Sequence, residues 1–448
     1  MISRMTSLVF ILIITVITVV DSGLVDFSSY SGFVAPISMY TIFFLIFFVA
    51  YVVVSSILLN SCFKIIPSNE VGITFVGVRY FRGTVVATQF LIVGIMLIIA
   101  LQMLLLNEYS LVLLRVETYL THISAAVLIS FLTFLLLGWL MTKRNYAVML
   151  YSISFLLVAF SIMVALIYLE VYLSNVSRTE IRWYPIISYI TNLNPTSAFV
   201  TEPLSNVFDI LTLASFLAMW IATAALLKEY QHRLGRFRFF FLMSLPLIYY
   251  IYPFQSYFGD IIFSTIQSSP VLISTFYILI FSATRQVGAL LFSLALWTAS
   301  SLVFETRVRQ SLLISAIGMS ALFSSVELSA VKYHTYPPFG LITEAFLPLG
   351  ACLLSVGIYA SAKKVSQDAL LRREFYKSAS SQLALLKAIG VSQMEREFQD
   401  RIKSVKDYVS TVENVQEESL SEENAKEILR EVLSELYSSE PEKDQQQS

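Results

Sequence analysis

Residues 239–309 read FFFLMSLPLIYYIYPFQSYFGDIIFSTIQSSPVLISTFYILIFSATRQVGALLFSLALWTASSLVFETRVR, and their reading decides how often this chain crosses a membrane. The stretch is almost wholly apolar, yet it carries Pro246, Pro253, Asp260, Gln267, Pro270 and Arg285. An arginine within membrane-length apolar sequence costs about 2.5–3.5 kcal/mol on insertion scales, so such a residue faces protein or water. Prolines at that depth are tolerated where neighbouring groups take up the freed backbone. Three apolar segments are distinguishable here, 239–254, 261–284 and 286–304. The middle one, interrupted by Gln267-Ser268-Ser269-Pro270, is expected to be re-entrant or broken.

Outward from that stretch the reading is simpler. A helix of about 20 apolar residues spans the hydrocarbon layer. Segments 5–20, 37–59, 84–106, 119–141, 146–173, 207–227, 311–330 and 341–362 meet that length and are rich in Leu, Ile, Phe and Val. No alternation of period two appears, which excludes a transmembrane barrel. The expected fold is all-α, a polytopic bundle of 10–11 transmembrane spans. With 56% hydrophobic and 14% charged residues, the chain is too apolar for an ordinary soluble domain.

The net charge of −1 conceals an asymmetry: 30 of the 61 charged residues lie in the last 86. Three regions follow: a membrane body over 1–362, a charged amphipathic helical tail over 363–438, and a disordered end over 439–448. The tail has no basic excess, so nucleic acid is not an expected partner. Ser392-Gln-Met-Glu395 is a capping-box pattern expected to start a helix. Phe398, Ile402, Val405, Val409 and Val412 then form a short heptad seam. Self-association or a protein partner through 392–438, or docking onto the body, follows from that seam.

Lys and Arg concentrate in cytoplasmic loops. With the N-terminus inside, nine fall inside (Lys64, Arg79, Arg82, Lys143, Arg144, Lys228, Arg233, Arg236, Arg238) and three outside (Arg115, Arg178, Arg182). The same rule prefers ten spans, with the tail inside. The first span is expected to be uncleaved, because Val-Val-Asp-Ser-Gly at 19–23 lacks a small-x-small site. Asn175-Val-Ser177 is a glycosylation acceptor pattern in the longest external loop, so Asn175 is a candidate acceptor.

No phosphate loop, His-Glu-x-x-His or Cys-x-x-Cys pattern occurs, so no catalytic residue, metal or cofactor is expected. His122, His232 and His334 read as surface or interfacial residues, and Cys62 and Cys352 as small packing residues. Glu170, Asp209, Asp260, Glu327 and Glu344 fall near the outer helix ends, with Glu108 and Glu117 in an outer loop. They either mark where spans stop or line a cation-accepting vestibule, with Arg285 as the intramembrane counter-charge. Pro246, Pro253, Pro270 and Pro348 are expected helix breaks, of the kind that build transporter sites. Gly350 and Gly357 share one helix face and would permit close helix contact.

One stretch carries a resemblance. Tyr336-Pro-Pro-Phe-Gly340, Gly357-Ile-Tyr-Ala-Ser361, Val365-Ser-Gln-Asp368, Leu371-Arg-Arg373 and Ile389-Gly-Val-Ser-Gln-Met-Glu395 resemble a family of multi-spanning membrane proteins of ammonia-oxidising archaea with no assigned activity. The resemblance implies an archaeal cytoplasmic membrane and carries over no site. Two functions remain open from sequence: a non-catalytic membrane protein whose cytoplasmic tail serves assembly or signalling, and a secondary transporter or channel using the interrupted helices at 239–304.

Overall fold

The computed structural model describes residues 3–30, 37–65, 74–106, 109–142, 145–175, 195–228, 235–251, 283–326, 338–368, 386, 388–399 and 402. Ten helices have defined bounds: α1 Arg4–Tyr30, α2 Ile37–Phe63, α3 Thr74–Leu106, α4 Leu111–Thr142, α5 Tyr146–Asn175, α6 Pro195–Leu227, α7 Arg236–Ile251, α8 Thr284–Ser300, α9 Thr306–Ser325 and α10 Leu341–Gln367. A further helical stretch covers 388–399, and no strand occurs among the described residues. Seven helices, α1–α6 and α10, are long and apolar enough to cross a membrane. A helix bonds all its own backbone groups, which is what lipid demands. Buried hydroxyls follow the same rule by bonding back to their own helix, as Thr15 does to the Ile11 carbonyl and Ser324 to that of Ser320.

The axis of the bundle is the α9–α10 pair. Helix α9 is among the least apolar helices, yet every residue from Gln310 to Ser325 is buried. Its small residues let two backbones touch. A Cβ added at Gly318 would lie 2.5 Å from the Leu354 amide nitrogen, and one at Gly350 would lie 2.5 Å from that of Leu322. At Gly357 it would meet Ser315 Oγ at 2.3 Å. The close contact expected from Gly350 and Gly357 is therefore present, and α9 is the partner. Contact between small residues is how helices associate where no hydrophobic difference separates lipid from protein.

Cross-helix bonds fix directions. Ser7 bonds the Leu313 carbonyl and Thr15 meets Ser320, so α1 and α9 run parallel. Tyr51 bonds Ala345 and Cys62 lies within electrostatic reach of Cys352, so α2 runs parallel to α10. Glu117 neighbours Glu344 while Ser355 bonds the Leu128 carbonyl, which sets α4 parallel to α10 as well. Helix α10 therefore leaves the body at the end where α1 enters. At that same end the Arg4 guanidinium stacks 4.4 Å over Trp297, near the end of α8.

An aromatic column closes the other side. Phe216 of α6 stacks on Tyr250 of α7 with centroids 3.8 Å apart and packs on Phe292 of α8, which meets Phe323 of α9. Helices α7 and α8 thus meet at Phe216. The segment 261–284, expected to be re-entrant or broken, lies outside the described residues apart from its last two positions.

Three expectations are corrected. Pro246 and Pro348 do not break their helices: α7 and α10 run through them, because packing neighbours support the backbone where each proline removes one amide donor. Ser392 does not start a helix, since the helical stretch begins by 388. Gly390 is pressed against Val365, where a Cβ would meet Cγ1 at 2.2 Å, so this glycine serves contact rather than a stop. The compact body extends to Ser392, and Leu386 packs with Val303, Val308, Leu312 and Val365. Gln393–Ser448 form a separate unit. The heptad seam beyond it, apart from Phe398 and Ile402, lies outside the described residues.

Candidate functional site

The first turn of α10 gathers polar groups that the sequence scatters over more than three hundred residues. Gly340 precedes the helix with φ 88°, a left-handed conformation natural to glycine, and offers no side chain to cap it. The first amides of any helix lack intrahelical partners. Asp21 of α1 supplies one from outside: its Oδ2 accepts from the Thr343 amide at 2.9 Å and from the Thr343 hydroxyl at 2.8 Å. A carboxylate at a helix N-terminus also meets the positive end of the helix dipole. Asp21 is fully buried.

Glu344 follows Thr343 and is also buried. Glu117 of α4 lies close enough for the two carboxyl groups to interact electrostatically. Glu117 is completely buried, and neither of its oxygens meets a hydrogen-bond donor among the described residues. The expectation that Glu117 sits in an outer loop is corrected: α4 begins at Leu111, and the acid is carried inside the helix against α10.

Tyr51 of α2 completes the wall. Its hydroxyl donates to the Ala345 carbonyl at 3.0 Å and accepts from the Gln89 side-chain amide of α3. Its ring meets Phe346 edge-on at 4.9 Å, and its hydroxyl lies within electrostatic reach of Glu117. Three helices, α1, α2 and α4, thus converge on one turn of α10, with Gln89 of α3 behind Tyr51. One turn along α4, His122 is buried, with Nδ1 at 2.9 Å from the Thr118 carbonyl. That contact makes Nδ1 the protonated nitrogen, so His122 is a satisfied core residue and not an interfacial one.

The other sequence-predicted residues do not join this group. Glu170 is exposed near the end of α5. Asp209 is half-buried on α6, near Tyr168 of α5. Arg285 is the second residue of α8, but its side chain lies outside the description. Asn175 is the last residue of α5. Asp260, Glu327, Pro253 and Pro270 lie outside the described residues. No group of three metal-ligating side chains occurs among the described residues.

The arrangement brings two buried carboxyl groups, those of Glu117 and Glu344, within electrostatic reach of each other. A buried carboxyl group is neutralised by a proton or by a cation, and Asp21 is already engaged by Thr343. Compared with known protein families, curated proteins and solved structures, the chain matches none.

Proposed function

We propose that this protein is a cation-coupled secondary transporter of a cytoplasmic membrane, with the Glu117–Glu344 pair as its ion-coupling site. The observation that carries the reading is Glu117: fully buried, without a hydrogen-bond donor among the described residues, and within electrostatic reach of a second buried acid. Intramembrane acids are expensive and mark ion or proton pathways by default. The pair sits where a helix begins, beside Tyr51. This reading looks for the coupling residues beside the first turn of α10.

The topology that goes with it has ten crossings, α1 to α10, alternating in direction. The parallel runs of α1 with α9, and of α2 and α4 with α10, support an even number. The start of α1 and the end of α10 then share the cytoplasmic side, with the lysine- and arginine-rich loops. The archaeal resemblance supports a cell membrane as the location. Assembly or signalling through the tail is the second reading, supported by its heptad pattern and by the packing of Leu386 on the body.

Flux in liposomes tests the proposal. Purified protein is reconstituted with a trapped pH-sensitive or sodium-sensitive dye, and an imposed cation gradient is followed. Flux that disappears in Glu117→Gln and Glu344→Gln, with folding retained, is the expected result. Flux unchanged in both variants would remove the pair from the mechanism.

A further inference from the structure

Five cationic residues gather at one end of the bundle: Arg4 at the start of α1, Arg307 and Arg309 in the first turn of α9, and Lys363 and Lys364 near the end of α10. The packing sets them at one level. Ser7 bonds the Leu313 carbonyl at 3.4 Å, so the start of α1 lies beside the start of α9. A Cβ at Gly357 would lie 2.6 Å from the Ser311 carbonyl oxygen, and Val365 packs with Val308 and Leu312, so the end of α10 lies there too. Two acids, Glu305 and Asp368, flank these elements, and no ion pair holds Arg307, Arg309 or Lys364 among the described residues. Arg4 is met by a ring: its guanidinium stacks 4.4 Å over Trp297, whose indole N–H donates to the Arg4 carbonyl at 3.1 Å. We propose that this end of the bundle binds the phosphate headgroup of an anionic membrane lipid through Arg307, Arg309 and Lys364, with Arg4 beside them.

Charge and depth both favour a lipid. Phe304, in the turn between α8 and α9, is 88% exposed, the highest value among the large apolar side chains described. An aromatic ring left outside the bundle beside arginines suits the boundary between hydrocarbon and headgroups. Guanidinium groups grip phosphate oxygens with paired hydrogen bonds, and clustered cations at a membrane surface attract anionic lipids. Arg307 is exposed and Arg309 and Lys364 are half-buried, so a headgroup can reach all three. Helices α9 and α10 are packed backbone to backbone, which presents cations from both on a fixed frame. A comparison lies elsewhere in the molecule: Arg236 and Arg238 are exposed at the start of α7, but on a single helix. The inference rests on the chain crossing a membrane and not on the acid pair.

The test uses the full-length protein in nonionic-detergent micelles doped with dioleoylphosphatidylglycerol or, in a parallel series, dioleoylphosphatidylcholine. Retained lipid is counted by native mass spectrometry, and stability is followed by thermal unfolding. Wild type is expected to retain phosphatidylglycerol in preference to phosphatidylcholine and to melt at a higher temperature with it. Arg307→Gln, Arg309→Gln and Lys364→Gln should each weaken that retention about fivefold, with melting in phosphatidylcholine as for wild type. Arg307→Gln, at an exposed position, decides the matter should either of the others unfold. The double variant Arg236→Gln/Arg238→Gln should retain the lipid as wild type does. Equal retention of the two lipids by wild type would overturn the proposal, and so would an equal loss in the α7 variant, which would reduce the effect to net charge. Inorganic phosphate that raises the melting temperature as much as the lipid would assign the site to a free anion and overturn it equally.

Discussion

The two halves of α10 are equally buried and do opposite things. From Gly350 to Gly357 the helix meets α9 through backbone and small side chains such as Ala321 and Ser315, and the Ser315 and Ser355 hydroxyls bond carbonyls. From Gly340 to Phe346 it meets α1, α2 and α4 through Asp21, Tyr51 and Glu117. The first contact is close-packed and tolerates no added atom. The second keeps acids where apolar side chains would pack at lower cost. Protein interiors carry such costs where the polar group does something that packing cannot. One half of the helix holds the bundle together, and the other is where chemistry is to be sought.

Substitutions that separate the halves should show the largest effects in the seam. Gly350→Leu pushes a side chain into the Leu322 backbone, and should destabilise the body by about 3 kcal/mol or more. Thermal unfolding followed by tryptophan fluorescence in detergent would show it, and a variant melting like wild type would break the contrast. Asp21→Ala comes next. It strips a charge-assisted cap from a buried amide and hydroxyl, and should cost about 2 kcal/mol. Asp21→Asn should recover part of that loss. Tyr51→Phe removes the bond to Ala345 and the acceptor for Gln89, and should cost about 1 kcal/mol in the same assay. Smallest on stability are Glu117→Gln and Glu344→Gln, which should melt within about 1 kcal/mol of wild type or above it, because each removes one of two buried acids that lie within electrostatic reach of each other. A large destabilisation by either would make the acids structural and erase the distinction between the halves.

Hydropathy made much of the bundle legible. The segments 37–59, 146–173 and 341–362 lie within α2, α5 and α10, because apolar composition and helix length are properties of one segment at a time. Gly350 and Gly357 were legible for the same reason, since a spacing of seven places both on one face. What the sequence did not show is who faces whom. Glu117 interrupted the apolar run and so read as the edge of a span, although α4 continues six residues beyond it toward its start. Asp21 read as the end of the first helix, with nothing local to say that it caps α10. Pro246 and Pro348 misled in the other direction: a proline removes one amide donor, and whether the helix continues depends on neighbours that the local sequence does not name.

The most direct measurement is modification of the folded protein by dicyclohexylcarbodiimide, an apolar reagent for carboxyl groups in dry surroundings, mapped by mass spectrometry of the peptides. The account predicts modification at Glu117 or Glu344, none at the exposed Glu170, and protection as the concentration of the coupling cation rises. Modification that ignores every cation tested, or that spares both acids while the unfolded chain reacts, would contradict an ion site at the start of α10.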